Sequence, residues 1–241
     1  MPETGEFGGS KPVKKEEPLQ QALRILGIPS SINVKFVKSK RVAPYTTLVS
    51  YRQSQDGESN LEYVIEYRKN LKPELLRHEL CHLKLHLMGL PVVEVDVGSP
   101  ASLRSHVLST LHEDYYASLI IHRKFPKDFM SIMRDTDSGD HAIHIHDEVN
   151  DDLLSWLLQR YVLKIALLEA LGYKNEAETN RKKIEHLKEE SHLQLYLYLN
   201  VICEYLSRLP PLDPTLRKFT TEEKDCIGKI VGAINDVEVS I

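Results

Sequence analysis

Cysteine is scarce in this chain of 241 residues. Cys81, Cys203 and Cys226 are few, odd in number and far apart, which argues against a disulfide framework and for a reducing compartment. Long apolar runs are also missing: no window approaches the roughly 18 apolar residues of a membrane-spanning helix. The first 18 residues are rich in Gly, Pro, Lys and Glu and lack the apolar stretch of a secretory signal. A strong charge of either sign is absent too. The formal net charge of -4 offers no general basic field for nucleic acid or anionic lipid. What remains is an ordinary globular balance, 41% apolar and 27% charged, which is enough to bury a core. These features predict a cytoplasmic protein with neither nucleic acid nor membrane as partner, and they leave its oligomeric state open.

The apolar pattern divides the chain into three parts. Residues 1–18 hold too few apolar groups to offset the entropy of ordering them, so a mobile tail is expected. Leu19, Ala22, Leu23 and Leu26 share one helical face, and Gly27-Ile28-Pro29 stops that helix. Residues 32–37, 45–51 and 61–67, rich in Val, Ile, Thr and Tyr, read as three strands of a small sheet, antiparallel at least in part. The polar stretch 55–60 reads as a hairpin loop.

Helical periodicity takes over at Lys72, with Pro73 in the first turn and Gly89 and Pro91 beyond the end at Met88. Ser99 and Pro100 predict the start of another helix running to Lys124. Further helices are expected over residues 127–133, 148–171, 175–209 with a break near Glu190, and 221–236. There is no internal repeat of fixed period. The fold class expected is α+β, a core over residues 19–126 followed by a helical region over 127–241.

Chemistry concentrates in His78-Glu79-Leu80-Cys81-His82. Two histidines four residues apart on a helix differ by about 40° in azimuth and roughly 6 Å along the axis, so both imidazoles reach one metal ion. Glu79, beside the first, is placed to take a proton from water activated by that metal. This spacing is the zincin signature and predicts Zn2+ as cofactor. Leu76, Leu80, Leu83 and Leu87 fall within about 60° of one another, leaving the histidines on the opposite face between Leu75 and Leu85. Cys81 is rotated off the histidine face and reads as a small core residue. His86 lies too far along a straight helix to share the ion and reads as a neighbour of the site.

A catalytic zinc needs a third protein ligand and an open position. His106, His112, Glu113 and Asp114 on the next helix are candidates. Glu113 is favoured because it shares a face with His106, Thr110 and Ala117, whereas Asp114 is rotated by about 100° from it. Small Ala117 would let the two helices approach, and His106, roughly 10 Å before Glu113, is too distant to share its ion. Two other groups carry open readings. His144 and His146, within residues 140–148, could address an oxyanion or a second metal, but an acidic loop with Asp147 capping the helix from Glu148 is preferred. Tyr115 or Tyr116 could donate to an oxyanion, with packing preferred for both.

With these residues in view, the sequence resembles the ImmA/IrrE-like metallopeptidases. In those, HExxH is followed some thirty residues later by a helix of pattern Glu-Ala-x-x-Phe-Ala and a run of Leu. Here the stretch reads Glu113-Asp114-Tyr115-Tyr116-Ala117-Ser118-Leu119-Ile120-Ile121, with Pro126 downstream, so Asp114 replaces the usual Ala and Ala117 the usual Phe. The resemblance covers residues 19–126. It implies a minimal zincin core of gluzincin type, zinc on His78, His82 and Glu113, Glu79 as base, and a protein or peptide substrate cleaved by metal-activated water. His-Glu-Leu-Cys-His is also similar to SprT-type minimal zincins, which take a third His instead. The alternative function is a zinc-binding sensor or interaction module on the same scaffold, without turnover.

Overall fold

The computed structural model describes residues 16–39, 47–53, 61–67, 72–91, 102–135, 149–189 and 192–237. Its residues fall into two compact units, 1–80 and 81–241, and the boundary lies inside one helix. Among the described residues helices dominate and one small sheet is present, an α+β arrangement.

The first unit opens with α1 (Glu16–Ile25), which buries Leu19 and Ala22, with Leu23 only half-buried and Leu26 buried just past its end. Three strands follow: β1 (Asn33–Lys38), β2 (Thr47–Gln53) and β3 (Leu61–Tyr67). They lie in the order β1-β3-β2. β2 runs antiparallel to β3, Thr47 opposite Tyr67 and Gln53 opposite Leu61, as two strands joined by a short connection do. β1 runs parallel to β3, Asn33 opposite Glu62 and Lys38 opposite Tyr67, so the sheet is mixed. Tyr63, Val64 and Ile65 of β3 are all buried, and since successive side chains point to opposite faces, the central strand is covered on both sides. Edge strand β1 alternates instead, with Val34 and Phe36 half-buried between exposed neighbours.

α2 (Pro73–Leu87) crosses the boundary between the units. Leu76, Leu80, Cys81, Leu83 and Leu85 are buried along it and Met88 just past its end, while Leu87 is half-buried. Its end is set by Gly89 at φ +77°, where the Gly89 N–H donates to the His86 carbonyl and the Leu90 N–H to the Leu85 carbonyl. This pair of bonds is the Schellman closure, which places its turning residue in the left-handed region that glycine enters freely.

The second unit is built around α3 (Ser102–Lys124). Val107, Leu108, Leu111, Tyr115, Tyr116, Ala117, Ile120 and Ile121 are buried around its circumference, as are the polar Ser109, His112 and Ser118. A helix apolar on all sides must be covered on all sides. α3 meets α4 (Pro126–Asp135), α5 (Asp151–Leu157), α6 (Leu163–Ala170) and α9 (Thr221–Asn235). α5 runs into α6 through one π-helical turn, Leu158–Val162. α7 (Lys174–Glu189) and α8 (Leu193–Ser207) pack on α6.

The helix expected from Glu148 starts at Asp151. Its cap is Asn150, whose side-chain oxygen accepts from the Leu153 N–H at 2.8 Å; Asp147, the cap expected from sequence, lies outside the described residues. Ser99 and Pro100 lie outside them as well, as do residues 1–15 of the expected tail. Among the described residues no helix is long and apolar enough to cross a membrane.

Candidate metal centre

His78 and His82 occupy successive turns of α2, and both are half-buried, as is Glu79 between them. The C-terminal end of this helix is pinned twice within the second unit. His112, buried on α3, donates its Nε2 proton to the Pro91 carbonyl at 3.0 Å, and the Phe219 N–H donates to the Met88 carbonyl at 2.9 Å. The acceptor in the first bond is a carbonyl, which fixes the His112 tautomer with its proton on Nε2.

His82 faces the acidic pair of α3. Its Nε2 lies 3.3 Å from Asp114 Oδ1, and its Nδ1 lies 3.6 Å from Glu113 Oε2. One ligand atom each from His78, His82 and Asp114 lie within 4.8 Å of one another, a grouping able to hold a metal ion. Two imidazoles and a carboxylate are a donor set zinc commonly takes.

The metal-capable group contains Asp114 where the sequence argument placed Glu113. That argument treated each side chain as a single direction from the helix axis. An imidazole, however, presents two nitrogens, so neighbouring acids about 100° apart can address one ring from two sides. The two acids are almost equally exposed, at 20% and 22%, so burial does not separate them.

The other residues singled out by sequence fall as follows. Cys81 is fully buried, and His86 is exposed at the end of α2, outside the metal-capable group. Tyr116 is fully buried, donates its hydroxyl to the Pro210 carbonyl at 2.7 Å and meets Phe219 edge-on. Tyr115 packs edge-on against Tyr116, and burial pushes its phenol up to about 12. These are packing roles. The His106 side chain and residues 136–148, with His141, His144 and His146, lie outside the described residues. On α2, Lys84 is held below the ordinary lysine range, first by burial and then by Lys124.

No known protein family matches the chain, and neither a curated protein nor a solved structure matches it.

Proposed function

We propose that this chain is a metal-dependent hydrolase, a zinc peptidase acting on a protein or peptide, with His78, His82 and Asp114 as ligands and Glu79 as base. The convergence of two histidines one turn apart with a carboxylate from a second helix carries this reading. Zinc, when bound, supplies Lewis acidity and lowers the pKa of a coordinated water toward roughly 7.

His78 and His82 would hold the ion from α2, and Asp114 would add the one anionic donor from α3. Three protein donors would leave room for water at a bound ion, as catalytic rather than structural zinc requires. Glu79 accepts the proton of the attacking water at its carboxylate and returns it to the departing amide nitrogen.

Metal-free chain titrated with zinc is expected to take up one equivalent. Glu79→Gln should take up the same equivalent and melt like wild type, yet lose about 100-fold or more in cleavage of a quenched-fluorescence peptide library. Failure to take up zinc, or equal turnover by the two proteins, overturns this assignment.

A further inference from the structure

His82 is approached at both ring nitrogens, and the two approaches cannot serve the same purpose. A ligating imidazole gives its lone pair from one nitrogen and keeps its proton on the other. The two nitrogens point along diverging directions, so a carboxylate set against one is directed away from an ion on the other. Asp114 Oδ1 stands at Nε2, 3.3 Å away, and belongs to the metal-capable group. Glu113 Oε2 stands at Nδ1, 3.6 Å away, and does not.

We infer that Glu113 is a positioning residue for the metal centre. Its carboxylate stands at the Nδ1–H edge of His82, and its negative charge there favours the tautomer and ring orientation that leave the Nε2 lone pair for the ion beside Asp114. The inference rests on the metal-centre reading above and assigns the adjacent acids different tasks. A carboxylate at the far nitrogen also makes the ligating nitrogen a better donor, because negative charge there stabilises the partial positive charge that coordination puts on the ring. Glu113 is well suited to this by position: one residue before Asp114 on α3, it reaches the opposite edge of the same ring.

Cobalt(II) is the probe, since its visible bands report the ligand set while its titration reports affinity. Metal-free wild type, Glu113→Gln, Glu113→Ala and Asp114→Ala are titrated, with circular dichroism of each as the check on folding. Wild type and both Glu113 variants should share one band shape, because the ligands are unchanged. Affinity should fall by about 10- to 100-fold in Glu113→Ala. It should fall less in Glu113→Gln, whose amide oxygen can still accept from Nδ1–H. Asp114→Ala should change the band shape itself. Wild-type affinity in Glu113→Ala overturns the inference. So does a band shape altered by Glu113→Ala and preserved in Asp114→Ala, which would make Glu113 the ligand. Should Glu113→Ala fail to fold, Glu113→Gln decides alone, wild-type affinity again counting against. If wild type takes up no cobalt, the metal-centre reading falls first and this inference with it.

Discussion

Glu223 joins two motifs with one carboxylate. Its oxygens accept from both terminal nitrogens of Arg217 at 2.8 Å, a bidentate pair, and one of them also accepts from the Thr220 N–H at 2.7 Å to complete the capping box of α9. Arg217 first, then the Thr220 backbone, pull the Glu223 carboxyl down from its ordinary value to about 2. A depressed acid stabilises the fold when ionised, so its contribution is whole above the ordinary carboxylate range and is lost as pH falls toward 2. In low salt the wild-type melting temperature should therefore fall more steeply than that of Glu223→Gln between about pH 5 and 2. The site is at the surface, so the effect should shrink in high salt. Parallel curves for the two proteins would remove Glu223 from the acid response. The same residue-scale detail limited what the sequence revealed at the metal centre. The spacing of His78 and His82 was legible because helix geometry alone brings them onto one face. That Asp114 and not Glu113 belongs to the metal-capable group was not, because each acid meets a different nitrogen of His82.

Among the elements, boundaries set by local chemistry were the most legible. α2 was expected over residues 72–88 and spans Pro73–Leu87; the helix expected over 221–236 spans Thr221–Asn235; the break expected near Glu190 falls between α7 and α8. Proline, glycine and capping residues act within one turn, so their signals survive tertiary packing. The direction of β1 was not legible, since period-two alternation reads the same in parallel and antiparallel pairs. Two glycines turn this difference between local settings into opposite predictions. Gly89, at φ +77°, would place an added Cβ 2.9 Å from Lys224 Nζ, a flexible tip that can move, so the cost of Gly89→Ala is the backbone strain, about 1 kcal/mol. Gly228 lies within α9, and an added Cβ there meets nothing within 4 Å, so Gly228→Ala should stabilise by about 0.5–1 kcal/mol. For a chain of this length each change corresponds to about 2–4 °C in melting temperature, downward for Gly89→Ala and upward for Gly228→Ala. Shifts of the same sign in both would show that helix propensity and capping do not govern these sites.

For the molecule as a whole, the unit boundary between Leu80 and Cys81 leaves His78 in the first unit and His82, on the same helix, together with Asp114 and Glu113 in the second. That unit also holds the single tryptophan, Trp156, with Arg160 over its ring at 5.3 Å and Tyr161 edge-on at 5.5 Å. Tryptophan fluorescence thus reports the unfolding of the unit that holds His82 and Asp114. A metal that binds only the folded state stabilises it by mass action, by about 4 kcal/mol at a free concentration a thousand times the dissociation constant. At that excess the Trp156 transition should rise by about 10 °C for wild type. Asp114→Ala removes the carboxylate that α3 contributes, so most of the rise should disappear, whereas Glu79→Gln, which leaves the ligands intact, should keep it. Zinc bound to scattered surface histidines would stabilise all three proteins alike. A rise of equal size in Asp114→Ala and wild type would therefore show that the ion does not join these two helices, and with it the metal centre on which the hydrolase proposal depends would be lost.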